Sequence, residues 1–353
     1  MTMSLSRPQT HWELRMNLLH FFTSRARRSH RPEWLATAIV LAALAAALFL
    51  AALPAQAAWP EKPVRIVVTF AAGGASDIVA RAISDPLARA LGQPVIVDNK
   101  PGAGGTLGGT EVVRSAPDGY TLMLSNSTPL SIGPWTVPKL PYDSIKQFTH
   151  IAMLGVAPVA IMANPKSGPA ALKDLPKAAA APGYSFGSGG PGSIGHIVGE
   201  MIKHDLKLDM VHVPYRGGAP MTTDLVSGTI PVGIDVVTAF VPLIRDGKIR
   251  ALAVTTRERT PLLPDVPSVV ELGLPGLVAE NYFGLSGPAG LPRDVTDKLA
   301  KAVADIVSDP VIVKRFEELG ITVKKQGAAE FSAFVARQIN DWAPAIKAAD
   351  FRN

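Results

Sequence analysis

The chain has 353 residues, with 35 Lys+Arg against 29 Asp+Glu, no cysteine, and 31 each of glycine and proline. That length suits roughly two domains of about 150 residues, enough for a core that needs neither disulfides nor structural zinc, and the absent cysteines exclude thiol nucleophiles, Fe–S clusters, Cys-ligated zinc and lipidation through Cys. At 47% hydrophobic and 18% charged the chain is not of disordered type, and its formal charge of +6 is unevenly spread.

Residues 1–57 hold Arg7, Arg15, Arg25, Arg27, Arg28 and Arg31 against Glu13 and Glu33, and so contribute +4 of the +6. No charged residue lies between Trp34 and Pro60, and the stretch ends at the small-residue site Ala55-Gln56-Ala57. A basic segment, an alanine-rich apolar run and an A-x-A site read as a cleavable secretory signal peptide over 1–57, hence as export. An uncleaved anchor is the alternative, since about 19 apolar residues span a bilayer; the Arg27-Arg28 pair is a weak hint of twin-arginine export, and Met16 is an alternative start. Residues 58–353 carry a net charge of only +2 and no clustered basic stripe, so nucleic acid is not an expected partner. All the glycines lie in that segment, which points to tight loops where backbone approaches something closely.

The first strand is predicted over 64–70. It runs into Phe70-Ala71-Ala72-Gly73-Gly74-Ala75-Ser76-Asp77, then into a helix with Ile78, Val79, Ala82, Ile83, Leu87 and Leu91 on one face. Ser76 or Asp77 reads as its N-cap, and a glycine-rich helix start can hold a carboxylate or phosphate on open amides; an ordinary capped turn is the plainer reading. Pro86 is expected to kink or split that helix. Further strands are predicted at 94–97, 120–124, 149–154 and 159–163. Gly155 and Pro158 interrupt the last two, where the chain can cross between lobes.

Next come a strand at 184–187 and the loop Ser188-Gly189-Gly190-Pro191-Gly192-Ser193, leading to a helix through His196. Gly190, Gly192 and Gly195 match the dinucleotide fingerprint, but the loop is long, Pro191 removes an amide and no acid ends the next strand. Gly183-x-Ser185-x-Gly187 matches a nucleophile elbow only as a pattern, because the strand follows the serine instead of preceding it. Strands at 210–213 and 232–235 end in Tyr215-Arg216-Gly217-Gly218 and in Asp235. Tyr215 offers an aromatic wall, Arg216 a cation or a plain surface residue, and Asp235 either a ligand acceptor or a helix cap. Strands at 250–254 and 282–285 and helices at 294–308 and 328–348 complete the pattern, with a second crossing near 280–283. His150, His196, His204 and His212 show no metal-ligand spacing, so neither metal nor cofactor is expected.

The βαβα alternation implies α/β layers with mainly parallel sheets. The loops share one place, the carboxyl ends of strands, where open α/β sheets bind ligands. No acid/base pair or activated nucleophile accompanies them, which favours binding over catalysis.

The whole chain after the leader resembles one family. The stretches that carry the resemblance are Trp59-Pro60-Glu61-Lys62-Pro63-Val64-Arg65, Ala72-Gly73-Gly74 with Ser76-Asp77, Asn99-Lys100-Pro101-Gly102-Ala103-Gly104-Gly105, Pro117-Asp118-Gly119-Tyr120-Thr121-Leu122, Lys139-Leu140-Pro141-Tyr142-Asp143, the 187–196 loop, His212-Val213-Pro214-Tyr215-Arg216-Gly217, Leu252-Ala253-Val254-Thr255-Thr256 and Leu263-Pro264-Asp265-Val266-Pro267-Ser268. In these it is similar to the Bug family, the periplasmic solute receptors of tripartite tricarboxylate transporters. The resemblance implies a two-lobed periplasmic binding protein (type II) fold, two α/β domains around a ligand cleft, with lobe 1 formed by 58–158 and 282–353 and lobe 2 by 159–281. It implies capture of a small organic carboxylate by a periplasmic monomer that is not an enzyme, and delivery to a membrane permease. A ligand-sensing partner of a membrane sensor is the alternative on the same fold, and a dinucleotide-dependent or ester-hydrolysing enzyme a further one. By position, Phe70, Gly73, Gly74, Ser76 and Asp77 form one carboxylate-gripping loop. Ser188, Gly189, Gly192, Ser193 and His196 form the other, and Ser127, Tyr215 and Asp235 line the cleft. Thr69, Ala71-Ala72 and Val236-Val237 depart from the family pattern and imply a more apolar or roomier cleft.

Overall fold

One strand, Phe148–Ala163, takes part in two sheets. The computed structural model describes residues 59–349, together with 37, 38, 41, 42 and 44, which are helical; the leader reading otherwise lies outside the described residues. Residues 58–353 form one unit and 1–57 another. Ten strands are described in the former: β1 (Val64–Val68), β2 (Val95–Asn99), β3 (Thr121–Asn126), β4 (Phe148–Ala163), β5 (Ser185–Ser188), β6 (Val211–Pro214), β7 (Val232–Val236), β8 (Arg250–Val254), β9 (Glu280–Pro288) and β10 (Thr322–Gln326). The principal helices are α1 (Ala75–Leu91), α2 (Thr106–Val113), α3 (Ile194–Leu206), α4 (Gly218–Ser227), α5 (Arg293–Ile306), α6 (Pro310–Glu318) and α7 (Ala328–Ala348).

The first half of β4 pairs with β9 from Phe148 to Pro158, and with β10 through Met153, Gly155 and Val156. Its second half pairs with β7 and β8. One sheet therefore reads β2-β1-β3-β9-β4-β10 and the other β6-β5-β7-β4-β8, with β4 common to both. The expected pair of strands is a single one. All of its residues but Thr149 are buried, and the ladder to β9 ends at Pro158, so the missing amide falls where the partner changes. Gly155 admits β10: a side chain there would meet the Thr322 carbonyl oxygen at 2.6 Å.

The sheets are mixed, where mainly parallel ones were expected. β1 pairs in parallel with β2 and β3, and β5 with β6 and β7. Every pairing made by β4 or β9 is antiparallel, because these strands run between the halves against the local βαβ direction. Pro86 does not split α1, which is continuous from Ala75 to Leu91. Val79, Ile83 and Leu87 on its inner face are fully buried. Burying each contributes about 1.5–3 kcal/mol, which together outweighs the roughly 3 kcal/mol cost of an interior proline.

The main core joins β1, β3, β4 and β9 to the inner faces of α1, α3 and α5. A separate cluster of Ala160, Met162, Met221, Leu225, Phe240 and Val254 lies under the second sheet. Each sheet holds a strand paired in parallel on both sides, β1 or β5, whose carboxyl end delivers the chain into a loop and then a helix. Those two loops build the site.

Candidate functional site

β1 ends at Val68, and Gly73 then takes φ 81°, a left-handed turn that suits glycine. Gly74 caps α1, correcting the expectation of Ser76 or Asp77, and no side chain caps that end of the helix. Asp77 instead reaches backward: the Gly73 amide donates to its Oδ2 at 2.9 Å, and Arg81 Nε donates to the same carboxylate at 3.0 Å. Burial works to raise the Asp77 pKa, but the Arg81 guanidinium and the Gly73 amide outweigh it and hold the carboxyl below its ordinary value. Asn99 Nδ2 donates to the Phe70 carbonyl at 3.0 Å and ties the same loop to β2. The first turn of α1 is thus held in shape from behind, and its leading amides are left without a side-chain cap.

The second loop is wired differently. Ser193 caps α3, accepting from the His196 amide at 3.2 Å. Gly192, at φ 70°, donates its amide to His196 Nδ1 at 3.1 Å. A backbone N–H only donates, so that ring nitrogen is unprotonated, and Nε2 faces Glu200 at 3.7 Å. Ser188 Oγ accepts from the Gly190 amide and from Ser193 Oγ, and meets His212 Nε2 at 2.7 Å. The His196 and His212 rings stack with centroids 3.6 Å apart. Burial, reinforced by His196, pushes the His212 pKa down to about 3, so the ring is neutral at neutral pH.

The walls come together across the end of the strands. The Ile194 amide donates to Thr128 Oγ1 at 3.2 Å, and a side chain at Gly217 would stand 3.2 Å from the Ala71 amide. Between them lies a cavity of about 30 Å³, room for a water or two. It is lined by Phe70, Gly74, Ala75, Ser76, Asn126, Thr128, Gly189, Ser193, Ile194, Gly218, Asp235, Val236 and Asn281. None of these is a cation, so attraction for an anion rests on the helix amides. Asp235 Oδ1 accepts from the Val236 amide at 2.8 Å, and burial pushes its carboxyl up to about 6. It does not cap a helix, the other role considered for it; Val236 stands at the cap of the next turn.

Of the residues singled out in the sequence, Phe70, Gly74, Ser76, Gly189, Ser193 and Asp235 line this cavity. Gly73, Asp77, Ser188, Gly192 and His196 shape the loops from behind it. Ser127 is committed to β9: its amide donates to Asn281 Oδ1 at 3.3 Å, and its hydroxyl accepts from the Tyr282 amide at 3.1 Å. Tyr215 donates to Asp224 Oδ2 at 2.7 Å, and burial with that carboxylate pushes the phenol up to about 12. Arg216 is exposed. Of the departures from the family pattern, Val236 lines the cavity, whereas Val237 packs into the second core cluster.

Sequence reasoning missed Asn126, Thr128 and Asn281; Ala75, Ile194 and Gly218 lie in segments it singled out without being named as site residues, and Val236 was expected to alter the cleft. Asn126 closes β3 and Asn281 is the second residue of β9, and polar neighbours in both strands (Ser125 and Glu280) left neither with a distinctive signal. Asn126 Oδ1 accepts from the Thr128 amide at 3.1 Å, fixing the turn that reaches α3. The glycine loop does not offer a dinucleotide its amides, because those of Gly190, Gly192, Ile194 and His196 are already bonded. Ser185 opens β5 and does not sit on a strand-to-helix turn, which removes the elbow geometry. Two larger depressions of about 620 and 980 Å³ share Arg257, Val278 and Glu280, and neither includes the first turn of α1 or α3. Among the described residues no group of three His, Asp or Glu side chains is placed to hold a metal.

The model of the tripartite tricarboxylate transporter family receptor, TctC, matches residues 79–351. The chain is 32% identical to BugT of Bordetella pertussis over 292 residues, 82% of this chain and 90% of that protein. Among solved structures it is similar to the periplasmic binding protein BugD, with a TM-score of 0.80 and 34% identity over 83% of this chain and 99% of that one. It is also similar to MatC from Rhodopseudomonas palustris, solved with bound malate, with a TM-score of 0.78 and 32% identity over 82% of this chain and 100% of the other. Both neighbours share the two-lobed fold.

Proposed function

This chain belongs to the tripartite tricarboxylate transporter family receptors, and from that premise we propose that it is a periplasmic solute receptor that captures a small organic carboxylate between its lobes. The observation that carries the reading is the convergence of two loop-to-helix turns, at the ends of β1 and β5, on one cavity whose lining holds no cation. Such a site grips an anion through amides and helix dipoles. Malate in the related MatC structure supports the ligand class.

We assign lobe 1 to 58–158 and 282–353 and lobe 2 to 159–281; the change of partner along β4 at Pro158 supports that division. β4 and β9 then form the hinge. A space of about 30 Å³ is too small for a dicarboxylate, so the lobes part to admit it and close on it. The ligand favours the closed form by its greater affinity for that state. The closed receptor, a monomer exported on the 1–57 leader, delivers its ligand to a membrane permease. It acts as a binder and not as an enzyme, in keeping with the solute-binding proteins it matches.

Titration calorimetry against mono-, di- and tricarboxylates, with sugars and amines as controls, tests this. Micromolar or tighter binding is expected for at least one carboxylate. Stabilisation by sugars or amines alone would remove the carboxylate assignment.

A further inference from the structure

Asp235 is the one ionisable side chain lining the cavity. A carboxylate is a liability in a site that attracts anions, because the ligand brings a second negative charge close to it. Its Oδ1 is occupied by the Val236 amide. Its Oδ2 faces the Cα atoms of Gly189 and Gly218, where a side chain would stand 3.3 and 2.9 Å away. Glycine at both positions therefore keeps a Cβ from crowding that oxygen. No Lys, Arg or His lines the cavity to neutralise it.

We infer that the site selects carboxylates that also carry a hydrogen-bond donor, a hydroxyl or an ammonium, on a carbon beside the carboxylate, and that Asp235 Oδ2 receives that donor. The inference rests on the carboxylate reading above. The lining supplies both requirements: the ligand carboxylate meets the uncapped first turn of α1 at Ala75 and Ser76, and its donor meets Asp235 beside Gly189 and Gly218. The lobes that part to admit the ligand close on it, and closure brings both groups onto it. A plain acid leaves Asp235 desolvated and unpaired, a loss that falls on affinity.

The test compares matched ligands by calorimetry on the purified chain: succinate, malate and aspartate, then propionate, lactate and alanine, then glutarate, 2-hydroxyglutarate and glutamate. In the series that binds best, the hydroxy or amino acid is expected to bind about tenfold or more tightly than its parent, and the two donors identify which is taken. In Asp235→Asn that margin shrinks about tenfold, and the parent acid gains. Asp235→Ser serves if the asparagine variant does not fold. A parent acid that binds as tightly as both donors, or an equal effect of D235N on all three, overturns the inference and leaves the carboxylate reading standing. So does binding confined to acids without a neighbouring donor. Failure of every carboxylate overturns the underlying reading as well.

Discussion

The two loops that meet at the cavity are built on one backbone plan with opposite electrostatics. Gly73-Gly74-Ala75-Ser76-Asp77 and Gly192-Ser193-Ile194-Gly195-His196 each open with a left-handed glycine, place the cap next, and close on a third helical residue whose side chain accepts the glycine amide. Four residues on, Asp77 meets Arg81 at 3.0 Å and His196 meets Glu200 at 3.7 Å. In the first loop a carboxylate clasped by a cation does the holding; in the second it is an imidazole facing an acid. The caps differ too. Gly74 leaves the start of α1 open, whereas Ser193 and Thr128 take the amides of His196 and Ile194. Similar geometry therefore yields an anion-accepting turn on one side and a braced wall on the other.

The second position of each helix sharpens this contrast most. At Gly195 a Cβ would run into the Ile234 carbonyl oxygen, so α3 starts hard against β7, whereas α1 carries Ser76 at the matching place. Gly195→Ala is expected to destabilise the protein by about 3 kcal/mol, and Ser76→Ala by less than about 1 kcal/mol, in urea unfolding. Equal losses would break the comparison.

The braced wall is also the one that acid loosens most. His212 is held neutral with a depressed pKa of about 3, and it bonds the Ser188 hydroxyl beneath the glycine loop. An unfolded histidine binds its proton near pH 6.5, so the contribution of His212 is complete above that pH and is lost as the pH falls toward 3. Between pH 7 and 5 the wild type should lose about 1 kcal/mol more than His212→Gln in unfolding measurements at each pH, since solvent reaches part of the ring and screens the effect. Parallel curves would show that the ring is not protected from protonation.

Removing the other clasp has an effect of similar size. Asp77→Ala orphans the Gly73 amide and frees Arg81, and is expected to cost about 1–2 kcal/mol of stability and about tenfold in carboxylate affinity. Because the folded pKa of Asp77 is depressed, its contribution is present above the usual carboxylate range and is lost as pH falls through the folded value. Asp77→Asn keeps an acceptor for Gly73 and loses only the pair with Arg81, whose side chain is 56% exposed, so its loss should stay below about 1 kcal/mol. If the asparagine variant fell as far as the alanine one, the ion pair and not the amide bond would be holding the loop.

Much of the fold was legible in local pattern. β-branched runs ending in glycine gave β1, and a 3.6-residue stripe gave α1, because both signals depend only on which face a side chain presents to a core. The loops at residues 70–77 and 188–196 were legible as ligand loops for the same reason: glycines and small polar residues at a strand end free backbone amides. Ser127 and Tyr215 look like lining residues in sequence, and the structure commits their hydroxyls to Tyr282 and Asp224. Asn126, Thr128 and Asn281 drew no attention, although they line the cavity.

The sequence by itself settled the strand and helix alternation, the two glycine loops and the family, since each is written in spacings of a few residues. Only the tertiary structure decided that β4 is one strand serving two sheets, and that Asp77 and His196 face backward as clasps. It also decided that Asp235 shares a cavity with the open end of α1. The clasps are contacts four residues apart whose side-chain direction only the folded loop fixes, whereas the other two facts depend on which surfaces meet across long stretches of chain. The close approach of Thr128 to Ile194, or of Gly217 to Ala71, has no local signature.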